Sequence, residues 1–375
     1  MRILVLNPGS ATLKTTVLDL PDTDSRFTQT VDWEASDQDG PARAVTTALA
    51  RVAEAGIAAD SLDGVGYRVV HGGERFTAPV VVDDAVVASI EGLADLAPLH
   101  NGVAAATIQA GRRALPGIVH VAAFDTAFHA TLPETGRRYP VTDDWVTGAG
   151  IRRYGFHGLS VAWSTERAAE LLGRPAGELR LVVAHLGGGC SVTAVDGGRS
   201  VDTSMGMTPL EGLMMGTRAG SIDPGIIFRL LRAGRSAAAI EDDLEHRSGL
   251  RGVAGTSDMA LVLARAADGA PDARLAIDLF TRRAAAGIAA AATCLPRVDA
   301  LVFTGGIGEH APTIRKAVCD RLVSVGIHPP DAAADSDQEV DAVLWSGSGP
   351  ALLRIRARED VMIARAAEAA TIAGG

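Results

Sequence analysis

The sequence predicts an α/β protein built twice over, two similar domains in one chain. Three observations predict it. The 375 residues are 47 % apolar with 42 glycines and many alanines and valines, a composition suited to large cores of helix and buried strand. A strand, a small-residue turn and a second strand open the chain at Met1–Leu20, and the same design returns at Leu181–Val195, about 180 residues later. Apolar runs also stop at chemistry-bearing residues: Ile118–Phe124 ends at Asp125, and Ala300–Phe303 ends at Thr304-Gly305-Gly306. Open α/β sheets carry ligands at such strand ends.

The opening stretch, MRILVLNPGSATLKTTVLDL, reads as a buried strand at Ile3–Leu6, a tip at Asn7–Thr12 and a second strand through Leu18. Its tip gathers backbone N–H groups, hydroxyls and the ammonium of Lys14, donors that suit a phosphate-like anion. Lys14 and Lys316 are the two lysines of the chain, against 33 arginines. No Walker P-loop occurs, and a strand rather than a helix follows the turn. Taken alone, an ordinary hairpin with one exposed lysine fits equally well.

Composition narrows the function. A net charge of −10 argues against a nucleic-acid partner, whose binding surfaces need clustered cations, while leaving room for a basic cleft that holds a small anion. Cys190, Cys294 and Cys319 are far apart and form no C-x-x-C pair, which speaks against zinc and disulfide frameworks. Met1-Arg2 runs directly into a strand without a secretory leader pattern, and the longest apolar helical run, Ala284–Leu295, is too short to span a bilayer. A soluble cytoplasmic protein with no membrane partner is expected.

Along the chain, 22–40 is polar and reads as loop with irregular strand, and Pro41–Ala55 as a helix capped near Gly56. Gly64–Val70 is a strand that carries Arg68, an unusual residue there; an edge position or a cleft facing an anion would explain it, the cleft being favoured. Asp84–Leu96 and Val103–Ala114 read as helices around a turn holding His100, for which a structural and a catalytic role weigh equally. Asp125 is either a site carboxylate or an N-cap. His157 lies between glycines in RYGFHG, a loop that lets backbone approach a ligand, and Ser160–Leu172 follows as a helix.

In the second half, LVVAHL, the tip Gly187-Gly188-Gly189 and SVTAV form the repeated hairpin, with Gly198–Met205 as a third strand. Thr208–Asp223 is a glycine-rich connection holding Arg218. Helices are expected at Pro224–Ala233, Ala237–His246 and Ala273–Thr293. Ala300–Phe303 then leads into a glycine loop before a helix from Pro312, an arrangement suited to phosphate or nucleotide. Leu352–Arg356 is a strand, and Glu359-Asp360 either holds magnesium or simply starts the terminal helix Val361–Ala370 well.

Taken in order, NPGSATLKT, YRVVHGG, APLHN, FDTAFH, RYGFHG, HLGGG, MGTRAGSIDP, FTGGIGEH and the Glu359 segment resemble the acetate kinase family from residue 3 to about residue 365. The resemblance implies a fold of the actin, hexokinase and Hsp70 type: two duplicated actin-like, ribonuclease H-like domains with the active site in an interdomain cleft. It implies domains of 1–130 plus 361–375 and of 131–360, and a homodimer. The implied reaction is reversible, Mg²⁺-dependent, in-line phosphoryl transfer from ATP to acetate, giving acetyl phosphate and ADP, with Mn²⁺ as an alternative metal.

Carried over by position, Asn7, Ser10 and Lys14 match the family's phosphate and metal loop, and Glu359 its magnesium-associated glutamate. Arg68 and Arg218 match the arginines that hold the acyl carboxylate and the migrating phosphoryl group. Asp125 matches the aspartate near the attacking carboxylate, and His157 the histidine that stabilises the transition state. His100 and His185 stand at supporting positions. The nucleotide side comprises Lys14, His185, Leu186, Gly187, Gly188, Gly189, Asp258, Met259, Ala260, Gly306, Ile307, Gly308 and His310, and the acyl wall Val70, Leu99, Phe156 and Pro209. These roles agree with phosphoryl transfer, whose transition state spreads negative charge over three oxygens and is served by positioning and electrostatics.

Four positions depart from the family pattern. Thr12 replaces serine and keeps the hydroxyl, whereas Gly188 replaces asparagine, Ala260 an arginine and His310 an asparagine, all three on the nucleotide side. The acyl end is therefore the firmer part of the resemblance. Propionate or another short acid as acceptor, pyrophosphate as donor, and a non-catalytic nucleotide switch stand as alternatives.

Overall fold

The computed structural model describes residues 1–34, 36–97, 100–330, 335 and 341–374. The chain divides into two compact units, Met1–Ala130 with Arg358–Gly375, and Thr131–Ala357. In the first, strands β1 (Arg2–Pro8), β2 (Thr12–Asp19), β3 (Ser25–Asp32), β4 (Gly64–Val69), β5 (Val80–Val81) and β6 (Val119–Phe124) form one sheet in the order β3-β2-β1-β4-β6-β5. In the second, β7 (Arg180–Leu186), β8 (Cys190–Asp196), β9 (Arg199–Thr203), β10 (Ala300–Thr304), β11 (Ala342–Trp345) and β12 (Ala351–Arg354) form another in the order β11-β12-β10-β7-β8-β9.

Read from the opposite edge, the second order repeats the first strand for strand, β1 corresponding to β7 and β6 to β12. The pairing senses repeat as well. An antiparallel meander leads into two parallel pairs, and an antiparallel edge strand closes each sheet. Both hairpins turn over three residues, 9–11 and 187–189. This is the duplicated α/β architecture that the repeated hairpins predict, and the actin-like fold that the resemblance implies.

Burial explains why the central strands read as unbroken apolar runs. Ile3, Leu4 and Leu6 of β1, Leu181–Ala184 of β7 and Leu301–Phe303 of β10 are fully buried, as parallel strands covered on both faces must be. In the first unit the terminal helix Glu359–Gly374 packs on β1, β4 and β6. Gly66 permits that approach, since a Cβ there would stand 2.5 Å from Ile363 Cγ2. In the second unit the helices Gly158–Leu172 and Pro271–Ala292 pack on the sheet formed around β7.

Several elements differ from the sequence reading. The polar 22–40 stretch contains the regular strand β3, an edge strand whose inward positions 27, 29 and 31 are only half-buried and include a glutamine, which leaves Phe27 and Val31 as its whole apolar signal. The expected glycine loop after β10 is a helical turn, Gly305–His310, entered through Gly305 at φ +76°. Two short helices, Gly249–Ala254 and Met259–Ala267, and the strands β5 and β11 are additional to the elements expected from the sequence. Among the described residues no helix is long and apolar enough to cross a membrane.

Candidate active site

Three neighbouring parallel strands of the first unit deliver polar side chains at their carboxyl ends. Asn7 is the penultimate residue of β1, Arg68 that of β4, and Asp125 follows β6 directly. The Asp125 backbone N–H donates to the Val69 carbonyl at 3.0 Å, which seats the aspartate beside the end of β4. Its carboxylate, 1 % exposed, receives a two-pronged bond from Arg68, Nε to Oδ1 at 3.0 Å and Nη2 to Oδ2 at 2.5 Å. Arg68 Nη1 donates to Asn7 Oδ1 at 3.4 Å, and Asn7 Nδ2 donates to Glu359 Oε2 at 3.4 Å. Glu359 Oε2 also lies 3.9 Å from Arg68 Nε.

Burial opposes the charge on Arg68, but the fields of Asp125 and then Glu359 outweigh it and hold its pKa above the ordinary arginine value. One permanent cation thus faces two carboxylates. Hard oxygens from Asp125, Glu359 and the Asn7 amide suit Mg²⁺, which takes one or two carboxylates and completes its shell with water and substrate phosphates. Among the described residues no group of three or more His, Cys, Asp or Glu stands together as a metal site. The fit is to a metal shared with a phosphate.

The Glu359-Asp360 pair does not act as a pair. Glu359 joins Asn7 and Arg68, while Asp360 is held by its neighbour Arg358 at 3.0 Å. Lys14 is exposed and sits opposite Asn7 in the β1–β2 register of the first unit. At the hairpin tip the Gly9 N–H is already bonded to the Thr12 carbonyl at 2.7 Å, so it is not among the donors that tip can offer. His100 occupies the N-cap position of the helix Asn101–Ala114 without a capping bond from its side chain.

The second unit carries the histidines and the glycine tip. His157 precedes the helix Gly158–Leu172 in a left-handed conformation, φ 59° and ψ 22°. Its Nδ1 is 2.9 Å from Ser191 Oγ, and its ring stacks on His185 with centroids 4.1 Å apart. His185, near the end of β7, has its own Nδ1 2.9 Å from Ser160 Oγ. Arg218, in the 208–223 connection, donates from Nε to Glu245 Oε2 at 2.5 Å, each side chain 17 % exposed.

Beside the tip lies a cavity of about 320 Å³, lined by Gly187, Gly188, Ser257, Asp258, Met259, Ala260, Leu263, Gly306, Ile307, His310 and Ala311. It is of ligand-pocket size and mostly apolar, with a few polar groups. Eight of these residues are ones the sequence assigns to the nucleotide. Three others on that side do different work. Leu186 is fully buried, Gly308 is buried against it, and Gly189 makes room for His157, since a Cβ there would lie 3.1 Å from His157 Nε2. Asp258 spends one oxygen capping the helix Met259–Ala267 through the Ala260 N–H at 2.8 Å. Thr304, at the end of β10, has a fully buried hydroxyl with no partner among the described residues.

Of the acyl-wall residues, Val70 is buried in the first unit and Phe156 and Pro209 in the second, while Leu99 lies outside the described residues. Sequence reasoning missed Glu245, Ser160 and Ser191. Glu245 stands in the acidic run EDDLEH, which reads as a solvated helix face. The two serines carry no motif, though Ser191 pairs directly with His185 in the hairpin register, a polar residue on a strand buried from Cys190 to Val195.

The chain is similar to known proteins over most of its length. The Acetokinase family model matches residues 2–365. An acetate kinase of Deinococcus radiodurans is 49 % identical over 314 residues, 83 % of this chain and 78 % of that protein. An acetate kinase of Bacillus cytotoxicus is 40 % identical over 97 % of both chains. The crystal structure of a propionate kinase from Francisella tularensis superimposes with a TM-score of 0.90 at 34 % identity, over 98 % of this chain and 99 % of that one. Matched along nearly its whole length, the chain is a member of the acetokinase family.

Proposed function

We propose that this chain is an acetate kinase that moves the γ-phosphoryl group of ATP directly to acetate, reversibly. An acetate oxygen attacks the γ-phosphorus in line, the bond to the β–γ bridging oxygen breaks with its electron pair going to ADP, and acetyl phosphate forms. The observation that carries this reading is the Arg68–Asp125–Asn7–Glu359 cluster at the ends of β1, β4 and β6. Acetate is already an anion near neutral pH, so no strong base is needed and Asp125 serves by fixing the Arg68 fork. Arg68 and Arg218 hold oxyanions, and His157 donates to the phosphoryl oxygens in the transition state. Mg²⁺, or Mn²⁺ in its place, would be held by Glu359 and Asp125 beside Asn7 and would neutralise the nucleotide phosphates. Lys14 adds a cation to the phosphate side, and the second unit's cavity takes the adenosine.

Valine at position 70 leaves space for a methyl group and favours acetate. One methylene is worth only about 1–3 kcal/mol, so propionate is a slower substrate, in keeping with the likeness to a propionate kinase structure. We further infer a homodimer in the cytoplasm. The helix Pro224–Arg232 has no buried residue, and Ile226, Phe228 and Leu231 are 46, 56 and 40 % exposed. Among the described residues Arg229 and Arg232 make no ion pair there, nor does Glu241 on the following helix Ala237–His246, a basic and an acidic face that a two-fold contact would bring together. The cysteines at 190, 294 and 319 are all free thiols, which suits a reducing compartment.

The test is acetyl phosphate formation from acetate and Mg²⁺, trapped with hydroxylamine, with ATP, GTP and pyrophosphate compared. ATP-dependent turnover that is lost in Arg218→Ala supports the reading. Turnover with pyrophosphate alone would replace the donor, and no turnover with any donor or short acid would overturn the enzyme assignment.

A further inference from the structure

We propose that Ser191 is the positioning residue of His157, assisted by the Ser160–His185 pair, so that His157 presents an Nε2–H donor to the hairpin tip. This rests on the phosphoryl-transfer reading given above. His157 has the one positive φ of any non-glycine residue described, 59°, and follows Phe156 and Gly155, itself at φ 76°. A histidine held there needs other contacts to fix its ring. The hairpin supplies them. His185 and Ser191 are directly paired across β7 and β8, so their side chains leave the same face of the sheet. The His157 ring spans both, stacking on His185 at 4.1 Å and 22° while its Nδ1 meets Ser191 Oγ at 2.9 Å. His185 is fixed in turn by Ser160 Oγ on its Nδ1 at 2.9 Å, and both serines are fully buried.

The buried Ser191 hydroxyl finds its hydrogen-bond partner in His157. When that hydroxyl donates to Nδ1, the ring proton of the neutral imidazole must reside on Nε2. Nε2 is also the ring atom nearest Gly189, where a Cβ would stand 3.1 Å away. Ser191 therefore sets which nitrogen bears the proton, and Gly189 keeps the path from that nitrogen to the tip open. The tip Gly187–Gly189 borders the glycine-lined cavity through Gly187 and Gly188.

Two measurements on the full-length enzyme test this. In steady-state kinetics, Ser191→Ala should lower kcat about 10- to 100-fold while the KM values for acetate and ATP stay within about threefold, and Ser191→Thr, which keeps the hydroxyl, should recover most of the loss. In a His157→Ala background the same Ser191→Ala change should cost nothing more, because its effect runs through the imidazole. In ¹⁵N-histidine NMR, the His157 signals should report the Nε2–H form in the wild type and a mixture of tautomers in Ser191→Ala. Wild-type kcat in Ser191→Ala, an equal loss in the His157→Ala background, or an unchanged tautomer would each overturn the proposal. Since the NMR result does not depend on turnover, a wild-type protein without acetate-dependent transfer would refute the functional reading and leave the Ser191–His157 link to be decided separately.

Discussion

Replacing Asp125 by asparagine probes the centre of the first unit's cluster. The wild-type carboxylate is 1 % exposed and accepts two bonds from Arg68, at 3.0 and 2.5 Å. Asparagine offers one acceptor and sets an NH₂ against a guanidinium N–H, so one bond is lost and a donor faces a donor. Breaking a buried ion pair costs about 3–5 kcal/mol, and a single hydrogen bond to a charged group about 1.5–3 kcal/mol. The Arg68 side chain keeps 18 % exposure and a second carboxylate, Glu359, at 3.9 Å, which places the cost near the lower figures, about 2–3 kcal/mol. If the freed guanidinium loses that much of its hold on the reacting oxyanions, kcat/KM for acetate falls about 30- to 160-fold. Urea unfolding and initial rates of acetyl phosphate formation measure the two effects. A general base would lose the acid limb of its pH–rate profile in Asp125→Asn, whereas a positioning residue leaves the profile's shape intact. Wild-type stability with turnover within threefold would refute the reasoning, and a lost limb would convert Asp125 into a base.

Glu359→Gln should raise the Mg²⁺ concentration for half-maximal rate about tenfold or more, and a chelator should abolish turnover in the wild type; an unchanged Mg²⁺ dependence would remove Glu359 from the metal site. His120 has its Nδ1 2.7 Å from the Tyr67 hydroxyl and its Nε2 3.0 Å from the Leu115 carbonyl, and burial pushes its pKa below the ordinary 6.5. As pH falls below that value the unfolded chain takes up a proton that the folded one resists, so stability is lost toward acid. His120→Gln should flatten the difference in urea stability between pH 7.5 and 5.5; equal slopes would contradict the neutral assignment. Phe228→Asp should turn a dimer into a monomer by light scattering, and a variant that stays dimeric would exclude the Pro224–Arg232 face.

How much of this was legible depends on where each residue takes its partner. The hairpin tips could be read because the same local pattern occurs twice, and Arg68 because a charge inside a strand calls for an anion. Asp125 could be placed because its strand is an unbroken apolar run that stops at it. Glu245 could not be read, since its partner Arg218 is 27 residues away and its neighbours are acidic. The helical turn Gly305–His310 was hidden by its glycines, which argue for a loop until β10 and the partly buried Glu309 carboxylate, accepting from the Ala357 N–H at 3.0 Å, are seen to hold it. The split of Glu359 from Asp360 was likewise invisible, because a helix start points adjacent side chains to different neighbours.

The bond from Asn7 to Glu359 joins residues 352 positions apart, and the helix that begins at Glu359 covers the sheet on which Asn7, Arg68 and Asp125 stand. The whole second unit is threaded through that closure. On the ribosome, at about 5–20 residues per second, roughly 10–45 seconds separate synthesis of the first six strands from arrival of the helix that shelters them. During that interval Ile3, Val5 and Val121, on the sheet face that Gly66 shares, present an uncovered apolar surface, while the inserted unit, continuous in sequence, is free to fold by itself. The arrangement makes the first unit the last to mature. It also makes premature termination costly, because a nascent chain released before Arg358 keeps its bare sheet and lacks Glu359, and so is a client for chaperones rather than a partly active enzyme.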